Sequence, residues 1–375
     1  MAHAGVDHEA VQGLLQRARR EVEDGLLPAC QVALAKDGEL VAFEAYGDAT
    51  TATRFAVFSC TKAFVAGAMW ILIGEGRVDV SARVVDHIPE FGANGKDQIT
   101  VEQVMLHTSG FPHAPLGPPA WDTRESRVEA MGRWRLNWEP GTAYEYHPTS
   151  AHWVLAELIA RLSGTPDHRD FIEQRITAPA GLPRVLGIEP ADQTDIATLE
   201  VRGEPATPDE LEAVLGVREL DVGEVTDAAL LGFNQPEARA IGVPGGGGMM
   251  TAADLALYYQ HLLHDDGETW DPKVKADAMG NVRNGLPDRL TGVPANRTLG
   301  LVQAGTDGMS SLRGFGRTVS GGTVGHGGAA GQIGWVDPAT GLSLGYVTNG
   351  IDANIIRQSR RGTALSSLAG VCATA

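Results

Sequence analysis

Cysteine is scarce in this chain of 375 residues, which contains only Cys30, Cys60 and Cys372. Three thiols cannot form a complete set of disulfides, and their positions do not match the spacing of metal ligands. We therefore expect reduced cysteines and a cytoplasmic protein. Among the eleven histidines, only His261 and His264 lie close together at helical spacing, so we predict neither a metal site nor a cofactor.

Basic residues are also few, since 30 lysines and arginines stand against 47 aspartates and glutamates and give a formal net charge of −17. Phosphate binding needs clustered cations, so this excess of acid argues against nucleic acid and against anionic membrane surfaces as partners. It favours a neutral or weakly polar small molecule as the substrate. No oligomeric state follows from the sequence.

Long apolar runs are missing as well. No uninterrupted stretch reaches the roughly 18 apolar residues that a membrane-spanning helix needs. Residues 1–25 lack the apolar segment that follows a basic start in a signal peptide, and they show the pattern of an amphipathic helix. We therefore expect no association with a membrane.

The composition that remains, with 43% hydrophobic and 21% charged residues, indicates a globular α+β protein. Two β-leaning runs flank Asp37-Gly38, a strong hairpin signal, and a second hairpin is predicted over residues 332–350. The simplest packing joins both hairpins in one antiparallel sheet flanked by helices. Residues 1–58 and 320–375 would then form the sheet part, and residues 77–310 the mainly helical part, of one catalytic domain. The crevice between the two parts is the predicted ligand site.

The stretch RFAVFSCTKAFVAGAMWILIGEG places Ser59 and Lys62 three residues apart at the start of a long apolar helix. Side chains at this spacing share one helix face, so the lysine can reach the serine oxygen. The helix N-terminus disfavours an ammonium, and burial lowers the pKa of a lysine toward the neutral amine that can act as a base. The pair therefore predicts a serine nucleophile with a lysine partner.

Two further segments bring groups that suit the same chemistry. Tyr146, in WEPGTAYEYHPTS, comes just before a predicted helix, and a phenol near the pair can move a proton between nucleophile and leaving group. In TVGHGGAAGQIGWVD, a predicted strand ends at His326, Gly327, Gly328 and Ala329, where small residues let a substrate approach the backbone. Such a strand edge can donate an N–H to an oxyanion hole, with the N–H of the serine as the second donor.

A Ser–His–acid hydrolase is the main chemical alternative for the nucleophile. It would need the frame G-x-S-x-G at a turn from a strand to a helix. Ser343 in GLSLG has this frame but lies within the hairpin predicted over residues 332–350, and Ser109 in HTSGF lacks the first glycine. We interpret His107 and Ser109 as turn-forming residues.

These motifs, in this order, resemble the serine β-lactamase and penicillin-binding-protein-like hydrolases, specifically the class C β-lactamase-like branch that includes the family VIII carboxylesterases. Besides the S-x-x-K motif, the resemblance includes EGRVDVSARVVDHIPEF, ITVEQVMLHTSGFP, WEPGTAYEY, VPGGGGMMTAADLALYYQHLL and GHGGAAGQIGWVDPATGLSLGYVTN. It implies the β-lactamase/DD-peptidase-like fold, an antiparallel sheet flanked by helices with a helical subdomain. It further implies Ser59 as the nucleophile, Lys62 and Tyr146 as its proton-transfer partners, and the N–H groups of Ser59 and Ala329 as the oxyanion hole.

Two departures from the family pattern bear on the substrate. Pro148 occupies the position where the family has an asparagine, whose amide meets the amide group of the substrate. His326-Gly327-Gly328 replaces the usual Lys-Thr-Gly, so a substrate carboxylate would lose its ammonium partner, which a protonated histidine could partly replace. Both changes weaken the recognition of amides more than that of esters.

The sequence thus predicts a serine carboxylesterase that hydrolyses small acyl esters through an acyl-enzyme on Ser59. An amidase, a D-aminopeptidase or a weak β-lactamase using the same site is one alternative. A catalytically inactive binding protein of the same fold is another. The motifs leave open whether Lys62 or Tyr146 is the base, because coupled groups titrate as a unit.

Overall fold

A computed structural model of the chain describes residues 4–220, 223–289 and 291–374. The strands in these ranges are β1 (Ala29–Lys36), β2 (Glu39–Gly47), β3 (Phe55–Ala56), β4 (Glu200–Arg202), β5 (Met249–Met250), β6 (Val302–Gln303), β7 (Val324–Gly325), β8 (Ile333–Asp337), β9 (Leu342–Thr348) and β10 (Gly350–Asp352). A six-stranded antiparallel sheet has the order β2-β1-β9-β8-β7-β6, and the described residues also form two small pairs, β10-β4 and β3-β5.

The α-helices of the described residues differ widely in length. They are α1 (His8–Glu23), α2 (Lys62–Gly74), α3 (Val101–Met105), α4 (Arg124–Arg133), α5 (Ser150–Leu162), α6 (His168–Ile172), α7 (Pro208–Leu215), α8 (Asp227–Leu231), α9 (Pro236–Ile241), α10 (Ala252–His264), α11 (Pro272–Gly280) and α12 (Ile355–Gly370). None of these helices has both the length and the apolar character that crossing a membrane requires.

Both predicted hairpins are present, and they meet in one sheet. The turn between β1 and β2 has positive φ angles at Asp37 (54°) and Gly38 (81°), as a tight hairpin turn requires. Strands β8 and β9 form the second hairpin, and β9 pairs with β1 over seven residues, from Cys30 opposite Thr348 to Lys36 opposite Leu342. The predicted α+β fold, a sheet built from both ends of the chain and flanked by helices, is confirmed.

The two faces of the sheet carry different helices, because successive side chains of a strand point to opposite sides. Cys30, Val32 and Leu34 of β1 lie in a core cluster with α1 and α12. Ala33 and Ala35 lie in a second cluster, which includes α10 and extends to α2. Helix α10 thereby packs between the sheet and the helical region that contains α2.

The division of the chain at residues 58 and 320 stays a prediction. Strand β6 belongs to the sheet although it lies within the stretch 77–310, and α10 from the same stretch packs on β1, β8 and β9. The helical middle of the chain therefore contributes to the sheet layer as well.

Helix α2 is the central helix of the molecule, as its apolar pattern predicts. All residues from Lys62 to Leu72 are buried, and the helix contacts α5, α6 and α11. A short turn, Phe58–Thr61, precedes it, so Ser59 lies one turn before the first residue of α2. Ser59 is therefore held at the start of a buried helix, which is a rigid support for a functional residue.

Candidate active site

The serine of the S-x-x-K motif lies on a constrained turn. Phe58, immediately before Ser59, has a φ of 45°, and His107 and Ala330 have a φ of 58° in segments that border the same site. A bulky residue rarely adopts this left-handed conformation, and such strain concentrates at functional sites. The side chain of Ser59 is partly exposed, whereas Cys60, Thr61 and the helix that follows are buried.

Lys62 is fully buried and lies between three oxygen atoms. Its Nζ is 3.1 Å from Ser59 Oγ, 2.7 Å from the carbonyl oxygen of Pro148 and 2.5 Å from the carbonyl oxygen of Gly245. Two carbonyl oxygens can only accept, so they take two N–H groups of the lysine. In the neutral amine, the remaining lone pair then faces the hydroxyl of Ser59.

The electrostatic surroundings favour that neutral amine. Burial holds the pKa of Lys62 well below its ordinary value, and the nearby guanidinium of Arg297 lowers it further. Glu224 and Cys60 act in the opposite direction but more weakly. The combination favours a neutral amine that can act as a base beside the serine hydroxyl.

Tyr146 lies on the other side of Ser59. Its phenol donates a hydrogen bond to Ser59 Oγ over 2.8 Å, and its ring stacks on His107 with 5.0 Å between ring centroids. Burial raises the pKa of Tyr146 above its ordinary value, while Arg297 and the bond to Ser59 lower it in part. The phenol therefore stays protonated and suits a proton donor better than a base.

The segment from His326 to Ala329 runs along the site as the continuation of β7. The backbone N–H of His326 donates to the carbonyl of Gly334 over 3.0 Å, which keeps this segment in the sheet. A Cβ added at Gly328 would lie 2.3 Å from the carbonyl oxygen of Val57, so only glycine lets this strand approach the turn that carries Ser59. Ala329 packs against the apolar cluster that contains Phe58, the residue before Ser59.

The side chain of His326 is buried and neutral at ordinary pH. Burial, Arg297 and Lys62 hold its pKa well below the usual range. Its Nδ1 donates to the carbonyl oxygen of Gly327 over 2.7 Å, and its Nε2 is buried without a hydrogen-bond partner among the described residues. His326 therefore does not supply the positive charge of the lysine that it replaces.

Pro148 contributes its backbone. The sequence suggests that this position loses a side-chain amide, and the structure shows that the carbonyl oxygen of Pro148 accepts from Lys62. The proline has no N–H to donate, so its carbonyl oxygen is its polar contribution to this contact.

Two residues of the site are not predicted from the sequence. Gly245, in the run GGGG, holds Lys62 through its carbonyl, and a Cβ there would lie 2.8 Å from the carbonyl oxygen of Pro148. Arg297 is 2% exposed, and its Cζ lies 5.3 Å from the centroid of the Tyr146 ring. The run of four glycines is a visible signal for a close approach, whereas nothing around Arg297 marks it as part of a site.

The alternative nucleophile, a serine paired with a histidine, is not accessible to a substrate. Ser109 Oγ lies 3.2 Å from Nε2 of His147, but both side chains are fully buried. The Nδ1 of His147 donates to the carbonyl of Glu145, and burial lowers the pKa of His147 to about 3. This pair holds the turn that positions Tyr146 and offers no nucleophile to a substrate.

The fold is that of the β-lactamase and penicillin-binding-protein-like serine hydrolases. A family model described as Beta-lactamase matches residues 14–364, so the chain belongs to this family and the resemblance inferred from its motifs is confirmed.

Three similar proteins illustrate the range of the family. The Esterase/beta-lactamase LipL of Mycobacterium tuberculosis is 28% identical over 328 residues, which cover 82% of this chain and 71% of LipL. A penicillin-binding protein homologue from Caulobacter crescentus has a TM-score of 0.77 at 23% identity, with 97% of this chain and 99% of the homologue covered. The structure of a family VIII carboxylesterase gives a TM-score of 0.77 at 22% identity, with the same two coverages.

Proposed function

We propose that this protein is a serine carboxylesterase that hydrolyses small acyl esters through an acyl-enzyme on Ser59. The observation that carries the proposal is the position of Ser59 Oγ, 3.1 Å from the amine of Lys62 and 2.8 Å from the phenol of Tyr146. A base and an acid on either side of one hydroxyl are what an acyl transfer requires.

Lys62 acts as the base in the acylation step. Ser59 Oγ attacks the ester carbonyl carbon while its proton passes to the neutral amine of Lys62. The resulting oxyanion accepts hydrogen bonds from the N–H groups of Ser59 and Ala329. Tyr146 protonates the departing alkoxide as the carbon–oxygen bond breaks, and the ammonium of Lys62 restores the phenol.

Water completes the cycle by the same groups in reverse order. Lys62 accepts, through the hydroxyl of Tyr146, a proton from the water that attacks the acyl carbonyl. The second tetrahedral intermediate collapses, Ser59 Oγ recovers its proton, and the carboxylic acid leaves. Each proton taken up in one step is returned in the next, so the enzyme ends in its starting state.

The preference for esters rests on what borders the nucleophile. Pro148 offers no side-chain amide to pair with a substrate amide, and an ester releases a better leaving group than an amide does. The relative named Esterase/beta-lactamase agrees with an ester substrate and also with the alternative, a hydrolase acting on β-lactams or D-amino-acid amides. The contacts of Ser59 with both proton-transfer groups argue against a catalytically inactive binding protein.

A substrate panel with pre-steady-state kinetics tests the proposal. We expect a burst of p-nitrophenol from short p-nitrophenyl esters, with an amplitude of about one per enzyme molecule. Nitrocefin and D-alanyl anilides should react far more slowly. The burst should disappear in Ser59→Ala and persist in Ser109→Ala, which removes the buried serine hydroxyl. Faster turnover of nitrocefin than of any ester would replace the esterase by the β-lactamase alternative.

A further inference from the structure

The most unusual charge of the site belongs to Arg297. Its side chain is 2% exposed, and its Nε donates to the phenol oxygen of Tyr144 over 2.9 Å. Its Nη1 is buried without a hydrogen-bond partner, and no carboxylate within the described residues forms an ion pair with this guanidinium. Burying a charge without an opposite charge is costly, so a site of this kind is suited to an anion that arrives from solution.

The guanidinium lines a cavity next to the nucleophile. This cavity has a volume of about 260 Å³, and its walls include Tyr146, Arg297, His326 and Gly327. Tyr146 is hydrogen-bonded to Ser59, and Gly327 lies on the strand that leads to Ala329. A substrate whose carbonyl lies at Ser59 can therefore extend a short branch toward Arg297.

The backbone holds Arg297 in this position. Its N–H donates to the carbonyl of Asn284 over 3.0 Å, and its carbonyl accepts from the N–H groups of Arg283 and Asn284 over 2.8 and 3.1 Å. The Cζ lies 5.6 Å from the centroid of the Tyr144 ring and 5.3 Å from that of Tyr146. The two rings shield the guanidinium from water but leave it without a counter-charge.

We propose that Arg297 binds a carboxylate of the substrate, so that esters carrying a free carboxylate a few atoms from the scissile carbonyl are preferred over neutral ones. This inference rests on the proposed esterase function and names its substrate class. The planar guanidinium matches a carboxylate in shape and charge. Arg297 thereby takes the place of the missing lysine of the third motif, which neutral His326 does not fill.

The net charge of the chain does not oppose this assignment. The value of −17 describes the whole surface, whereas salt screens exposed charges beyond a distance of about 8 Å. Inside the site the positive charge of Arg297 is felt by several groups, because it lowers the pKa values of Lys62, Tyr146 and His326, although Glu224 opposes it at Lys62. The expectation of a neutral substrate from composition is thus replaced by a local preference for an anion.

A matched pair of esters tests the assignment. Mono-p-nitrophenyl glutarate and p-nitrophenyl valerate have acyl chains of equal length, and only the first ends in a carboxylate. We expect the wild-type kcat/KM to be about tenfold higher for the glutarate ester, mainly through KM. Arg297→Met should lower this preference by about tenfold or more, and Arg297→Lys should keep part of it. Arg19→Met, which removes an exposed arginine on α1, should keep the wild-type preference.

Other outcomes separate the inference from the function on which it rests. An absent wild-type preference, or an equal loss on both esters in Arg297→Met, would overturn the inference and assign Arg297 a structural or purely electrostatic role. If Arg297→Met does not fold, the inference is tested by the preference of the wild type for the glutarate ester and by the reduced preference expected of Arg297→Lys. If neither ester is hydrolysed through Ser59, the esterase proposal fails. Calorimetric binding of glutarate to Ser59→Ala, weakened on adding Arg297→Lys, then supports the anion site alone, and no binding refutes it.

Discussion

Lys62 and Arg297 are two buried cationic side chains at one site, and their surroundings differ. Lys62 Nζ has three oxygen partners within 3.1 Å, whereas the side chain of Arg297 is bonded through Nε to a single phenol. The amine can release its proton and become neutral, but the guanidinium cannot. In the proposed mechanism, the chain therefore saturates the hydrogen bonds of the group that reacts and leaves open the group that is suited to binding an anion.

Lys62 is the proposed base, so replacing its amine should have the largest effect on activity. Lys62→Met keeps most of the side-chain volume and removes the base. We expect kcat/KM for p-nitrophenyl valerate to fall by about 10³-fold. Lys273→Met, at an exposed lysine of α11, is the control and should behave like the wild type. If kcat/KM falls by less than tenfold in Lys62→Met, the role of base would be assigned to Tyr146 instead.

The second prediction concerns the acid. Tyr146→Phe removes the phenol but keeps the ring that stacks on His107. We expect kcat to fall by about 10²-fold, because the alkoxide leaves without a proton donor. Esters of more acidic alcohols need less help in leaving, so the loss should shrink as the pKa of the alcohol falls. An equal loss for every leaving group would argue for a structural role of the phenol.

A smaller effect is expected from the carbonyl groups that saturate Lys62. In Gly245→Ala, the new Cβ would lie 2.8 Å from the carbonyl oxygen of Pro148, so one of the two carbonyls must shift. We expect about a tenfold loss of kcat/KM, since small misplacements are costly at a reacting centre. Gly246→Ala is the matched control, because its nearest neighbours would be 3.8 Å away. Equal activities of the two variants would show that the Gly245 carbonyl is dispensable.

The smallest effect is a shift of the pH profile. If Lys62 acts as the neutral amine, as proposed, activity should rise with pH through its lowered pKa. Arg297→Met removes a positive charge that disfavours the ammonium, so the pKa of Lys62 should rise and the acid limb should move to higher pH. The profile of kcat/KM for p-nitrophenyl valerate measures this shift. A shift to lower pH would contradict the assignment of the limb to Lys62.

Several elements of the fold and of the site can be predicted from the sequence. Asp37-Gly38 marks a hairpin because a tight turn needs positive φ angles, and the apolar pattern after Lys62 marks a helix that is buried on all sides. These features depend on neighbours in the chain, and so does the spacing of Ser59 and Lys62 on one helix face.

The parts of the fold and the site that the sequence does not predict depend on contacts between distant segments. Gly245 acts through a carbonyl group that every residue has, so its residue type does not reveal the role. Arg297 becomes buried only because the segment around it pairs with Asn284 and the ring of Tyr146 covers it. Strand β6 has only two residues and shows too short a pattern to predict.

The acylation of Ser59 with Lys62 as its base is tested most directly by acid-quenching the enzyme during turnover of mono-p-nitrophenyl glutarate and locating the acyl group by peptide mass spectrometry. We expect a glutaryl adduct on the peptide containing Ser59, formed within the burst phase by the wild type and far more slowly by Lys62→Met. An adduct on another residue, or continued hydrolysis by Ser59→Ala at the wild-type rate, would contradict it.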